Sequence, residues 1–374
     1  MKVKIHTLFK YLLETTEAEP EAIVGYSLSQ SPKLGEFMDD LDPELLLDWN
    51  SIDFRGLPAL RGHILREAGL DGLCEPSDVF VTAGTAEANY LAMMQLLGPE
   101  DEVIIETPGW PQTGVISKAI GCTQRYVERK EADDWVFPMD QLEKAINKNT
   151  KMIFVTNPNN PTGQRFLAAE LQQLVDYARS VDAWLVVDEV YAGLEWEGGP
   201  RAASVAGMYD KGITTGSVSK ALGLQGLRCG WLICKDKDLI MDAIILRENS
   251  SELMNVMGEA IAEIAMRPER YKASMVKARA DGLTNLEVLD TFVKGHPRLS
   301  WVRPKAGLIG LAKLSDGINS ADFARKLLAA PYKTFLMPGI AYDQPNHIRI
   351  GCGGGAEVKL DVGLARLGNL LTKW

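Results

Sequence analysis

The sequence predicts an α/β protein, with a mostly parallel sheet between helices and a smaller α+β part beside it. Short β-branched runs alternate with helical patterns from about residue 78 to residue 234. Strands buried under helices on both faces are written as such near-continuous apolar runs. Beyond residue 234 the alternation stops, and a long helical stretch leads into a second cluster of strand-like runs.

In chain order, residues 1–22 read as a short amphipathic helix broken by Glu and Pro, too short and too acidic for a signal peptide. The first fifty or so residues carry no strand–helix alternation of their own and are expected to join the C-terminal part. The strand runs are 78–82, 101–107, 150–157, 183–189, 213–216 and 229–234, and helical stretches such as 86–97 and 168–181 lie between them. Their Val, Ile and Thr enrichment and their closing Gly, Pro or Asp favour strand over buried helix. Residues 249–277 read as helical, and further strands are expected near 299–302, 307–314, 334–339 and 347–351.

Composition narrows the function. A chain of 374 residues with net charge -10 and no basic run points to a small-molecule ligand, and away from nucleic acid or an anionic membrane. No run reaches membrane-spanning length. The five cysteines are scattered without zinc or disulfide spacing, which fits a reducing cytoplasm. The four histidines form no ligand-spaced pair, so no metal is expected.

The chemistry centres on residues 217–230, where Lys220 follows a strand, Ser217 stands three residues before it and Arg228 eight residues after, among glycines. A lone lysine is ordinarily a solvated surface group. Here hydroxyls and a guanidinium surround a primary amine, which suits a phosphate-bearing aldehyde: donors for the phosphate, a nucleophile for the carbonyl.

The run Ser217, Ser219, Lys220, Gly223, Gly226, Arg228, Gly230 and Trp231 resembles the lysine motif of fold-type I pyridoxal-phosphate enzymes, the class I/II aminotransferase superfamily. Three blocks match in the same order: Gly84-Thr85-Ala86-Glu87-Ala88 opening a helix, Asn157 to Gly163, and Asp188-Glu189-Val190-Tyr191. The resemblance covers roughly residues 45 to 365. It implies a large domain with a mostly parallel seven-stranded sheet and a smaller α+β domain built from both termini. It also implies bound pyridoxal 5′-phosphate and a homodimer with shared active sites. The division expected is an N-terminal segment 1–45, a cofactor-binding domain 46–250, a connecting helix 251–285 and a small domain 286–374.

Residue roles follow from the resemblance. Lys220 holds the cofactor as a Schiff base. Asp188, ending an apolar strand, pairs with the protonated pyridine nitrogen and keeps the ring an electron sink; a helix N-cap is its alternative. Tyr191 and Asn160 bond the ring's phenolic oxygen, although an Asn in such a turn also serves turn geometry alone. Thr85 and Ala86 offer a helix start to the phosphate, together with Ser217, Ser219 and Arg228. Trp110 stacks on the ring or merely anchors its loop. Arg349, in an otherwise apolar strand, binds the α-carboxylate of an amino acid, with Asn160 alongside it; a salt bridge to a protein acid is the alternative.

Two departures bear on the reaction. Where ordinary transaminases carry a Gly-Glu-Pro segment, this chain has Gly25-Tyr26-Ser27-Leu28-Ser29-Gln30-Ser31 and then Gly35-Glu36. Where they place a tyrosine that reaches the neighbouring subunit's phosphate, this chain has Ser51, five residues before Gly56. The serine-rich segment is similar to that of the cyclases that form capreomycidine or enduracididine from hydroxylated arginine. The expected reaction is therefore elimination and cyclisation of such an amino acid, with Lys220 as the base at Cα. An ordinary transaminase is the alternative, and a carbon–sulfur β-lyase the next. Glu36 or another acid near the entry could pair a substrate guanidinium, and the sequence selects none of them. The same fold also serves as the sensing domain of transcription regulators, but the acidic charge and the absence of a preceding DNA-binding segment disfavour that reading.

Overall fold

The computed structural model describes residues 2–48, 53–196 and 201–374. Ser51 lies outside them. Alternating side chains explain why the central strands are apolar throughout. In the strand pairs Ile104/Ile105, Ile153/Phe154 and Leu185/Val186, neighbouring residues enter two different cores, one on each face of the sheet. Helices Thr85–Leu96 and Lys237–Glu248 cover one face, and helix Ala168–Ser180 covers the other.

The chain opens with helix Thr7–Glu14 and strand β1 (Ala22–Ile23). Seven strands then build the large sheet: β2 (Val79–Thr82), β3 (Glu102–Thr107), β4 (Thr123–Glu128), β5 (Thr150–Thr156), β6 (Trp184–Asp188), β7 (Gly212–Ser217) and β8 (Gly230–Ile233). Their order is β2-β8-β7-β6-β5-β3-β4, parallel from β7 to β4, with β8 antiparallel to both its neighbours. Six of the seven coincide with apolar runs in the sequence. The seventh, β4, is an edge strand with only Val127 buried, so it carries no apolar signature.

A second sheet, β12-β13-β10-β9, contains β9 (Leu299–Trp301), β10 (Ile309–Leu314), β12 (Met337–Pro338) and β13 (His347–Gly351). Strand β11 (Thr334–Phe335) pairs in parallel with β1 at Ala22↔Thr334, which ties the N-terminal residues to the C-terminal ones. The helical stretch expected at 249–277 is two helices, Val256–Met266 and Pro268–Gly295. Asn255 caps the first, accepting from Gly258 N, and Pro268 opens the second, where a missing N–H costs nothing. No helix among the described residues is long and apolar enough to cross a membrane.

Candidate active site

Open α/β sheets place ligands beyond the carboxyl ends of their parallel strands. Here those ends present Thr107, Asn157, Asp188 and Ser217. Opposite them stands β13, whose central residue, Arg349, pairs with Leu311 on one side and Met337 on the other.

Asp188 is buried at the end of β6. Its Oδ2 accepts from Asn89 Nδ2 at 2.9 Å, and its Oδ1 accepts from Val190 N at 3.0 Å in a tight turn. No helix follows, so it is not a helix cap. Burial pushes its carboxyl up to about 6, against the opposing pull of those hydrogen bonds and, more weakly, of Lys220. Lys220 retains some accessible area but lies deep among protein atoms, and burial followed by the Arg349 charge lowers its amine to about 8. Its Nζ stands 5.9 Å from the ring centroid of Tyr191. Tyr191 is buried and its phenol is pushed up to about 12 by burial, with Arg349 pulling the other way. Its oxygen faces the Ser27 hydroxyl without a well-formed hydrogen bond. Lys220, Asp188, Tyr191 and Arg349 thus converge from three segments.

A second group lies where the helix Thr85–Leu96 begins. Gly84 caps it at φ 79°, and the Arg228 guanidinium packs so close that a Cβ on Gly84 would stand 2.6 Å from Nη2. Arg228 is exposed, holds φ 49°, and donates to Ala83 O at 3.2 Å and Gln225 O at 3.3 Å. Thr85 Oγ1 is buried without a partner, and Ala86 follows it on the first turn. Ser217 pairs with Gly230 across β7 and β8, and its Oγ accepts from Ser219 N at 3.3 Å. Free helix N–H groups, three hydroxyls and a guanidinium suit a phosphate.

Arg349 is buried, yet both its partners are neutral: Tyr342 Oη accepts from Nη1 at 2.7 Å and Gly25 O from Nη2 at 3.3 Å. Its Nε has no partner. The protein-acid alternative therefore finds no support among the described residues. Asn160 is buried with Oδ1 unpartnered. No described contact joins it to Lys220. Trp110 packs against the cluster containing Met337 and Tyr342 and meets His6 edge-on at 6.3 Å. Glu36 is exposed and closes its own turn, accepting from Lys33 N at 2.8 Å.

Sequence reasoning missed Asn89 and Tyr342, whereas Ser27 lies in the serine-rich segment it singled out. Asn89 left a signal, an amide on an otherwise apolar helix face five residues after Gly84. Tyr342 left none.

The unpartnered oxygens of Thr85, Asn160 and Tyr191 and the cradle at Gly84 fit a phosphorylated aromatic aldehyde. Fold and site together define a pyridoxal-phosphate enzyme of the aminotransferase superfamily. Residues 50–367 match aminotransferase class I and II, and the chain belongs to that family. Aspartate aminotransferase of Geobacillus stearothermophilus is 28% identical over 308 residues, covering 79% of this chain and 77% of that protein. Capreomycidine synthase of Streptomyces vinaceus is 26% identical over 348 residues, covering 91% and 86%. A PLP-dependent aminotransferase from Streptococcus suis 89-1591 superposes with a TM-score of 0.90 at 25% identity, over 100% of this chain and 99% of its own. The PLP-dependent cyclase OrfR shares the fold at a TM-score of 0.89 and 23% identity, over 100% and 98%.

Proposed function

We propose that this chain works as a homodimer on an L-α-amino acid, and that it eliminates water from a hydroxylated arginine-type substrate and cyclises it. The observation that carries the reading is the path of residues 25–29 through the site. Gly25 O accepts from Arg349, Ser27 faces Tyr191, and Ser29 N donates to Lys220 O at 2.9 Å. This is the segment that departs from ordinary transaminases, so the wall beside the reacting carbon is atypical. The near full-length similarity to capreomycidine synthase supports the same reading.

When bound, pyridoxal phosphate supplies the electron sink for the pair left at Cα. Asp188 would hold a proton on the ring nitrogen, Tyr191 and Asn160 would bond the phenolic oxygen, and Trp110 would supply an aromatic face for the ring. Thr85, Ala86, Ser217, Ser219 and Arg228 would hold the phosphate. Arg349 takes the α-carboxylate through its free donors, and Lys220 Nζ moves the Cα proton. An amine titrating at about 8 is close enough to neutrality to exchange protons in both directions. Loss of the substrate hydroxyl as water then lets its guanidine close onto the chain.

The second reading is an ordinary transaminase, favoured by the similarity to aspartate aminotransferase. One incubation separates them: purified enzyme with hydroxyarginine in deuterated water and no keto acid. Cyclisation gives a product lighter than substrate by one water, apart from deuterium gained at Cα, with every nitrogen retained. If hydroxyarginine is inert, while common amino acids convert the cofactor stoichiometrically to its amine form and a keto acid reverses this, the transaminase stands.

A further inference from the structure

We propose that Tyr342 is a second binding group for the substrate carboxylate, completing a two-residue clamp with Arg349. This rests on the reading that Arg349 takes an α-carboxylate.

Tyr342 ends the short turn Gly339–Tyr342 between β12 and β13. It is 2% exposed and belongs to the buried apolar cluster that also contains Ala324, Met337 and Ala341. Next to it Asp343 takes φ 59°, so the chain reverses sharply and runs into β13. The turn thereby points the phenol back along the strand to Arg349, seven residues on, with the guanidinium carbon 5.8 Å from the ring centroid.

The donor count makes the hydroxyl more than a spacer. A guanidinium has five N–H donors. Tyr342 Oη and Gly25 O occupy one on each Nη, which leaves Nε–H and one N–H on each Nη. A planar carboxylate accepting from a guanidinium fork uses two of them. Both existing partners are neutral, so the buried positive charge is kept for the ligand, since an acid in either place would compete for it. Tyr342 Oη already accepts from Nη1. Its own proton therefore remains to be donated, and the described residues show no hydrogen bond that it donates. Burial pushes the phenol pKa up, which keeps that proton on the oxygen at neutral pH. A carboxylate seated on the free edge of Arg349 brings acceptor oxygens beside Nη1, where this O–H stands.

The test uses cofactor-loaded protein and the change of cofactor absorbance on adding ligand. The probe is whichever of the twenty common amino acids or hydroxyarginine shifts the wild-type absorbance at lowest concentration, paired with its decarboxylated amine. Tyr342→Phe keeps the ring and its packing and removes only the hydroxyl. It should weaken the amino acid about tenfold, the usual effect of one hydrogen bond to a charged group, with the loss falling on KM more than on kcat. The amine should bind wild type and variant alike. Unchanged amino-acid affinity, or an equal loss for the amine, overturns the proposal. Arg349→Lys tells the two readings apart. If it weakens the amino acid while Tyr342→Phe does not, the clamp alone fails. If neither substitution matters, or no amino acid shifts the absorbance, the carboxylate role of Arg349 falls and the clamp with it.

Discussion

Asn89 spans from the second turn of its helix to Asp188, 99 residues away, giving a hydrogen to Oδ2 at 2.9 Å while taking one from Thr215 Oγ1 at 2.8 Å. A hydrogen bond to the charged form of an acid favours ionisation. Asn89→Leu should therefore raise the Asp188 carboxyl above its value of about 6 and weaken pyridoxal phosphate about tenfold near neutrality. The loss should be larger at pH 6.5 than at pH 9, where Asp188 is ionised in either protein. Cofactor titration by fluorescence across pH reads this directly, and a pH-independent loss would reduce Asn89 to a packing role.

Asp188 also makes the cofactor-free protein sensitive to pH. Its folded pKa, about 6, lies above the ordinary 3.8. Its contribution to stability is thus full below about 3.8 and is lost as pH rises through about 6, amounting to a few kcal/mol. Cofactor-free Asp188→Asn should melt above wild type at pH 7.5 and level with it at pH 4. The loaded enzyme should reverse the order at pH 7.5, because the wild-type anion then has a cationic partner.

Lys220 is an amine tuned downward, to about 8 from 10.5. Condensation of added pyridoxal phosphate with cofactor-free protein should rise through pH 8 and level off well before an ordinary lysine would lose its proton. Borohydride reduction and peptide mass mapping should place the label on Lys220, and Lys220→Ala should abolish both label and turnover. A label on another lysine removes the assignment.

Gly84 combines a left-handed backbone, φ 79°, with the close approach of Arg228. Gly84→Ala forces a strained conformation and displaces the guanidinium, each costing about 1–3 kcal/mol. Cofactor affinity should fall at least tenfold. Gly226→Ala is the control: it lies two residues before Arg228, in the turn Gln225–Leu227, but a Cβ there meets nothing within 4 Å. Equal losses in both would mean that the close approach of Arg228 to Gly84 is not what sets cofactor affinity.

Much of this fold was legible because burial on two faces writes an apolar run. Strand β6 is buried at all five residues and was plain in the sequence, whereas β4, exposed along the sheet edge, was not. The candidate site was legible where a charged residue in an apolar strand has a costly environment, as with Asp188 at the end of β6 and Arg349 in the middle of β13, and where a motif groups neighbours, as around Lys220. Asn89 and Ser27 act across contacts that only the tertiary fold creates. Tyr342 is close to Arg349 in sequence, but its role depends on a turn with a left-handed residue at Asp343, which no periodicity announces. Glu36, an acid in a suggestive place, is exposed and accepts from Lys33 N in its own turn.

The contact between Gly25 and Arg349 joins residues 324 positions apart, and β1 waits for β11 in the same way. On the ribosome, the parallel sheet with Lys220 and Asp188 emerges and is free to fold long before β13 is made, since domains fold as units during synthesis. Residues 22–25, although made first, lack these partners until nearly the whole chain is out. A nascent chain stalled near residue 300 would therefore carry the lysine loop without the guanidinium that receives a carboxylate, and the wall beside the reacting carbon would be the last part of the enzyme to be assembled.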